Sequence, residues 1–466
     1  MLSSLLDALP RPPAEAPPLL VRAGRPGLLL SVATELLERC FEEGAHAETL
    51  LRRRFREDHR LGSKDRAILK DGLYATLRRH ESAALLLRLG GWDGDRAPLA
   101  LWLAQLVREG GLPPEIAAET FGAPIFEPLR DDRASLRAWA ESTNPDDVTL
   151  LGLMGSLPRW LAAAWLDELG PAEAARLVSA LAERAPIGLR ANRLKTDRDR
   201  ARAALAAEGI PAEPGALAPD ALLVRESANV AGGRAFREGL VEIQDEGSQL
   251  IAAMVEPPPK GLIVDFCAGA GGKSLAIAPK LRDRQRLWAF DVRADAIKRA
   301  RQRAARAGTK FVRFDVIPAD GPLPVAPGSA VRVLVDAPCS GTGTLRRHPS
   351  LRQLLRGEDR AARREEQLGI LTRAATLAAP GARVVYATCS LLRAENQGVV
   401  EAFLVGHPGW RLLPLRELWG EARAAALGDG ECLVLTPHRH GTDGFFAAVL
   451  VAPGCGGRRP SRWCLV

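Results

Sequence analysis

Two cysteines stand where a thiol could act as a nucleophile. Cys339 lies in Asp336-Ala-Pro-Cys-Ser-Gly-Thr-Gly-Thr344 and Cys389 in Ala387-Thr-Cys-Ser390, each straight after an apolar run that reads as a strand. A lone free cysteine is usually a small buried hydrophobe. Two of them, both in small-residue turns at strand ends and with the Asp336 carboxylate between them, read instead as a reactive rim on which Pro338 fixes the backbone that presents Cys339. The stretch Asp265-Phe-Cys-Ala-Gly-Ala-Gly-Gly-Lys-Ser274 adds a ligand loop, because Gly269, Gly271 and Gly272 let the backbone approach a bound group before a helix begins. It is not a phosphate-binding Walker loop, since Cys267 occupies the place of the first glycine, and the loop has no Gly-x-Gly-x-x-Gly run. Asp291 follows at the next strand end, about 20 residues on, where a carboxylate can accept both ribose hydroxyls of a nucleoside. Asp315, ending a third strand, is placed to meet an adenine amino group.

The elements that must position these residues alternate between apolar strands and amphipathic helices from about residue 240, the pattern of a wound α/β domain. Strands are expected over 262–266, 287–290, 311–314, 331–335 and 383–388. Their ends carry Asp265, Asp291, Asp315, Asp336 and Cys389, and in an open parallel sheet ligands bind outside the carboxyl ends of strands. Two later strands, over 431–435 and 444–450, would close the sheet. Upstream, apolar residues recur at helical spacing, as in Leu28, Leu29, Val32, Leu36 and Leu37, with Ser63 available as a helix cap. No strand signal precedes residue 145. Pro158 then opens a helix through Trp160 and Trp165, and the runs 187–192 and 221–224 read as short strands around a helix over 197–209. The organisation expected is therefore a proline-rich flexible lead-in over 1–25, an all-helical domain over 26–145, a small α+β domain over 146–240, a Rossmann-like domain over 241–452 and a disordered tail over 453–466.

Composition narrows the class of function. The 466 residues carry 64 Lys and Arg against 56 Asp and Glu, a formal charge of +8 that suits a polyanionic partner. The 7 cysteines are scattered, with no Cys-x-x-Cys pair, so a disulfide framework or a zinc ribbon is not expected. Cys432, His438 and His440 lack a fourth ligand, and no metal is expected. No apolar run approaches the roughly 18 residues that span a bilayer, and nothing at the N-terminus reads as a secretory signal. The reading is a cytoplasmic, monomeric protein.

With these residues in view, the chain resembles the Sun/Fmu family of RNA 5-methylcytosine methyltransferases. The resemblance covers the whole α/β domain and is most specific at Pro338-Cys-Ser-Gly341 and Thr388-Cys-Ser390; Arg190-Ala-Asn192 and Gln244-Asp-Glu-Gly-Ser-Gln249 also look like family blocks, the first in a small RNA-contacting domain. The cofactor loop departs from the usual Cys-Ala-Ala-Pro-Gly-Gly-Lys by carrying Gly269 and Ala270. The N-terminal helices, at Asp65-Arg66 and Leu73-Tyr-Ala-Thr-Leu-Arg78, are similar to a NusB-type RNA-binding domain.

The resemblance implies a Rossmann-like, S-adenosylmethionine-dependent enzyme acting on cytosine in RNA, with ribosomal RNA preferred over transfer RNA because of the helical N-terminus. Carbon 5 of cytosine is a poor nucleophile, so a thiolate must first add to carbon 6. By resemblance Cys389 is that nucleophile, its thiol acidified by its surroundings. Asp336 holds ring nitrogen 3 and the amino group as a protonated acid, and Cys339 assists when the carbon 5 proton leaves and the Cys389 bond breaks. S-adenosylmethionine would lie across Cys267, Ala268, Gly269, Ala270, Gly271, Gly272 and Lys273, with Asp291 on the ribose, Asp315 on the base and Asp336 alongside. Arg346, Arg347 and His348 could hold RNA phosphates, and the target base must leave its stack to reach the rim. Two rivals stand beside this reading. A DNA cytosine methyltransferase would use the Pro338-Cys339 thiol as nucleophile, and a non-catalytic ribosome-assembly factor would bind RNA without transferring a methyl group.

Overall fold

The computed structural model describes residues 26–281 and 286–454. The lead-in expected over 1–25 lies outside these residues, as do the tail from residue 455 on, Cys455 and Cys464. The chain divides into two compact units. One takes in the chain up to Arg184 together with Thr344–Glu358, and the other holds Ala185–Gly343 and Asp359 onward.

The first unit is helical among its described residues. Its helices include Pro26–Phe41, Ala47–Glu57, Ser63–Leu89, Ala97–Glu109 and Asp132–Thr143, followed by Asp147–Gly155, Arg159–Leu169 and Pro171–Ala182. The heptad-like apolar positions Leu29, Val32, Leu36 and Leu37 are buried against one another's partners on Ser63–Leu89, namely Leu69, Leu73 and Leu77. Gly72 allows a close approach of two helices, since a Cβ there would come within 2.5 Å of the Trp102 ring. Ser63 does not cap its helix. Gly62 holds the cap position and its N–H donates to Asp65 Oδ2 at 3.0 Å, because a carboxylate three residues into the helix can reach back to that orphan donor. Leu177, Val178 and Leu181 bury the apolar stripe of Pro171–Ala182 within the helical unit, which runs to Arg184.

A stretch from beyond the Cys339 turn completes this unit. Arg352 is buried to 1% exposure, and its guanidinium donates to three backbone carbonyls: Gly155 O at 2.8 Å, Leu345 O at 2.7 Å and Leu181 O at 2.9 Å. Arg78 does the same for Arg346 O, with contacts of 3.1 and 2.7 Å. Burial, reinforced by the neighbouring Arg78 charge, pulls the Arg352 pKa down to about 9. Arg346 is itself buried at 5% exposure, so the phosphate-holding role expected for it does not match its placement: its side chain is committed to the interior.

In the second unit, a small antiparallel sheet of β1 (Ile187–Ala191), β2 (Glu213–Pro214), β3 (Ala221–Val224) and β4 (Val241–Ile243) runs in the order β2-β3-β1-β4, with helix Arg198–Ala207 against it. The main sheet contains β5 (Leu262–Asp265), β6 (Leu287–Asp291), β7 (Val312–Val316), β8 (Ala330–Asp336), β9 (Ala378–Thr388), β10 (Arg411–Leu413) and β12 (Phe445–Val451), in the order β10-β12-β9-β8-β5-β6-β7, while β11 (Leu433–Leu435) pairs with β12. Strands β5 to β9 are mutually parallel, and β12 runs antiparallel to β9. This is the Rossmann-like architecture expected, with apolar layers packed on both faces. The chain reverses direction across the sheet at β5, which lies between β6 and β8, and such a switch point opens a crevice at the strand ends.

The family-like blocks lock the small sheet onto the larger one. Asn192 Nδ2 donates to Gly239 O at 2.8 Å and to Ala307 O at 2.9 Å, at the end of helix Ala294–Ala307. Glu242, 1% exposed, accepts from Arg303 at 3.0 Å and Arg306 at 2.6 Å. Arg190 donates to Gln244 Oε1 at 2.7 Å, and both are buried. Arg190 and Asn192 are thus interior fastenings and offer RNA no surface.

Arg352→Ala would strand three buried carbonyls. It is expected to lower the stability of the helical unit by on the order of 3 kcal/mol, read from chemical denaturation followed by helical circular dichroism.

Candidate active site

The register between β8 and β9 sets the site. Asp336 pairs with Ala387, and Ala337 N–H donates to Ala387 O at 2.9 Å, so the turns that follow the two strands leave the sheet side by side. Hydroxyls then lace them together. Ser390 Oγ lies 3.2 Å from Ser340 Oγ and 3.3 Å from Thr342 Oγ1, and Thr342 Oγ1 accepts from Leu391 N–H at 2.8 Å. Gly343 N–H donates to Cys389 O at 2.9 Å. Beneath them Glu395 Oε2 accepts from Ser340 N–H at 2.8 Å and from Gln367 Nε2 at 3.1 Å, while Gln367 Nε2 also reaches Pro338 O at 3.0 Å. The outcome is a Cys339 Sγ to Cys389 Sγ separation of 3.3 Å. Sequence reasoning paired the thiols but missed Glu395 and Gln367; the signal available was a glutamine on an otherwise apolar helical face and an acid shortly after Thr388-Cys-Ser390.

The hydrogen bond with Cys389, then burial, holds the Cys339 thiol well above the usual range, so Cys339 keeps its proton at neutral pH. Cys267 is also pushed up, first by burial and then by Asp265, Asp336 and Asp291.

Lys273 takes a different place from the one expected. It is 9% exposed and its ammonium contacts Asp336 Oδ2 at 2.5 Å. Burial alone favours the neutral amine, but the attraction and hydrogen bond of Asp336 outweigh it, and the Lys273 pKa is raised. Lys273 is therefore held as the charged partner of Asp336.

These groups open onto a cavity of about 970 Å³ lined by Phe266, Cys267, Gly269, Asp291, Asp336, Cys339 and Cys389 among others. Gly269 has φ +54, a conformation that suits glycine, and its N–H donates to Asp291 Oδ2 at 2.8 Å. A Cβ at Gly269 would meet only the Arg293 side chain, at 3.7 Å, which leaves the loop open to a group lying across it. Arg293 also donates to Asp291, and although burial opposes it, these bonds keep the Asp291 pKa below the usual carboxylate value. A glycine turn, a fixed carboxylate and the apolar Val292 and Ile317 together suit a nucleoside. Ala268, Ala270, Gly271 and Gly272 shape the turn without lining the cavity.

Asp315 stands one residue before the end of its strand. Strand β7 continues to Val316, so Asp315 belongs to the pleat, where it shares a face with Arg313 and pairs with it at 2.6 Å. Arg301 lies 3.9 Å away on the neighbouring helix. Ile317, Ala319 and Asp320 line the cavity in its place.

Comparison with known proteins agrees with this geometry. Residues 252–451 match the family described as 16S rRNA methyltransferase RsmB/F, and residues 157–231 match its ferredoxin-like domain. A Bacillus subtilis (strain 168) protein named "Probable ribosomal RNA small subunit methyltransferase B" is 35% identical over 303 residues, which cover 65% of this chain and 67% of that relative. The chain belongs to the RsmB/F family of methyltransferases. A crystal structure of a methyltransferase homolog from Pyrococcus horikoshii, 25% identical, covers 66% of this chain and 98% of its own with a TM-score of 0.55. For the fold alone, the crystal structure of PH0851 covers 94% of this chain and 99% of its own with a TM-score of 0.72 at 24% identity. Among the described residues of this family member, no helix is long and apolar enough to cross a membrane.

Asp265 lies under the glycine turn, fully buried, with Ser274 Oγ–H donating to Oδ2 and no partner on Oδ1. Burial lifts its pKa from 3.8 to about 7. The folded state thus holds this proton after the unfolded chain has released it, and the associated stability, full below about pH 4, is lost as pH rises through about 7. Asp265→Asn is expected to lose less stability than the parent between pH 4 and pH 8, measured by urea denaturation at both values.

Proposed function

We propose that this chain methylates carbon 5 of cytosine in RNA, using S-adenosylmethionine and a covalent bond from Cys389 to carbon 6. The single observation that carries the reading is the 3.3 Å pair of sulfurs beside a Lys273–Asp336 ion pair, at the strand-end cavity that also holds the glycine turn. Ribosomal RNA of the small subunit is the foremost substrate, in keeping with the names of the relatives. When bound, the cofactor supplies an electrophilic methyl group. Gly269, Asp291 and the apolar lining would hold its nucleoside.

The chain's own groups divide the remaining work. A cytosine turned out of its stack enters over Asp336, which accepts from the exocyclic amine. Lys273 neutralises the charge that collects at ring nitrogen 3 as the Cys389 sulfur forms its bond to carbon 6 and the ring becomes an enamine. Once carbon 5 has taken the methyl group, its proton passes to water in the open cavity, the electron pair left behind re-forms the double bond between carbons 5 and 6, and the pair of the carbon 6 to sulfur bond returns to the Cys389 sulfur. Cys339, which retains its proton, donates a hydrogen bond to the departing Cys389 sulfur.

Exchange of the cysteine roles tests this scheme. Cys389→Ala is expected to abolish methyl transfer to RNA by at least about a thousandfold, whereas Cys339→Ala should trap a covalent RNA adduct that survives denaturing gel electrophoresis. Full activity of Cys389→Ala would remove the scheme, and an adduct through Cys339 would favour the DNA-type arrangement. Bisulfite sequencing of total RNA from cells lacking the protein then names the cytosine; an unchanged pattern, with no S-adenosylmethionine binding in calorimetry, would leave an assembly factor.

A further inference from the structure

The two thiol turns share a support that the reaction scheme does not use. Glu395 and Asn396 stand side by side where the single helical turn Arg393–Glu395 leads into helix Gln397–Gly406, and both are buried, at 1% and 6% exposure. Their side chains reach to different turns. Glu395 Oε2 accepts at 2.8 Å from the N–H of Ser340, the residue after Cys339. Asn396 grips the residues on either side of Cys389, since its Oδ1 accepts from the Thr388 hydroxyl at 2.5 Å and its Nδ2 donates to Ser390 O at 2.9 Å. Tyr386, on β9, donates its hydroxyl to Glu395 O at 2.7 Å, which fixes the pair to the strand that delivers Cys389.

Gln367 completes the hold on the Cys339 side. It belongs to the buried face of helix Asp359–Ala375, where its neighbours four and seven residues on are Leu371 and Ala374, and it is fully buried itself. An amide on such an apolar stripe is costly unless its donors are met. Here one nitrogen meets two acceptors, Glu395 Oε2 at 3.1 Å and Pro338 O at 3.0 Å. Pro338 and Ser340, which flank Cys339, therefore hang on Gln367 and Glu395, as Thr388 and Ser390, which flank Cys389, hang on Asn396. Glu395, Asn396 and Gln367 do not line the cavity, so they act on it only through the turns they hold.

We infer that Glu395 and Asn396 are positioning residues divided between the two sulfurs: Glu395, together with Gln367, holds Cys339 in place for product release, and Asn396 aims the Cys389 sulfur for its attack on carbon 6. The inference rests on the proposed reaction and deepens it. Glu395 acts chiefly through its acceptor oxygen. The Cys339 thiol is held above its usual range first by the hydrogen bond with Cys389 and by burial, with the Glu395 charge behind them, so a neutral acceptor at this position leaves the thiol protonated.

A single-turnover time course separates the two steps. The full chain is mixed with small-subunit ribosomal RNA from cells lacking it and with S-adenosylmethionine tritiated in its methyl group, then quenched in detergent. Label in all RNA reports the steps through methyl transfer, and label in RNA free of protein reports release. Gln367→Met, which keeps the side-chain length and removes the donors, is expected to leave total labelling within about twofold of the parent, slow release about tenfold and accumulate labelled adduct. Asn396→Leu should slow total labelling about tenfold while release of what forms changes by less than about twofold. Glu395→Gln keeps an acceptor for Ser340 and Gln367, so its release should stay within about threefold of the parent. Should the first two variants fail to fold, Gln367→Asn, too short to reach both acceptors, and Thr388→Val, which removes the hydroxyl donor to Asn396, take their places with the same expectations. Parent-like rates on either side, one variant slowing both steps alike, the two effects exchanged, or Glu395→Gln as impaired as Gln367→Met would overturn the inference and leave the proposed function standing. A parent chain that labels no RNA, or Cys389→Ala labelling RNA at the parent rate, would overturn the proposed function and the inference together.

Discussion

A sulfur that keeps its proton, 3.3 Å from a second sulfur at the end of the next strand, is the contact around which the rest of the catalytic unit is arranged. Neither thiol turn could hold that distance alone, because each is a stretch of small residues with little to pack. The separation is imposed from three sides: by the parallel register of β8 and β9, by the hydroxyl bridges among Ser340, Thr342 and Ser390, and by Glu395 and Gln367 below. Each of these partners is buried, so the hydrogen bonds are made in a low dielectric and misplacement would leave polar atoms unpaired.

The electrostatic setting follows from the same convergence of strand ends. Asp265, Asp291 and Asp336 end β5, β6 and β8, and three carboxyl groups so close cannot share one charge state. Each has a different solution. Asp291 is held by N–H donors from Gly269 and Arg293, Asp336 is paired with the buried Lys273, and Asp265, with Ser274 as its hydrogen-bond donor, has its pKa lifted by burial. One buried ammonium and one acid whose pKa is raised thereby temper the negative charge of the strand-end rim.

The helical unit shows the opposite use of buried cations. Arg352 and Arg78 meet no carboxylate at close range and instead satisfy backbone carbonyls, which ties Thr344–Glu358 into helices far away in sequence. The polypeptide that presents Cys339 thus continues directly into a segment whose conformation is owned by another hydrophobic core. A guanidinium suits that task, since its planar fork reaches several acceptors at once.

By itself the amino-acid sequence determined the class of the catalytic unit, because hydrophobic periodicity, glycine-bearing turns and polar strand ends are local properties, and Cys339, Cys389, Asp336, Asp291 and the glycine turn were legible for that reason. It also showed the helical character of the N-terminal half. What only the tertiary structure decided were the matters that depend on where a side chain points or on contacts between distant segments. Lys273 faces Asp336 because a buried amine stays charged only beside a carboxylate. Asp315 stays with Arg313 because β7 runs on to Val316. Arg346 lies inside because the segment after the Cys339 turn is claimed by the helical core, and helices up to Pro171–Ala182 join that core because their apolar stripes are buried there. Periodicity tells which face of an element is apolar; only the assembled fold tells what that face meets.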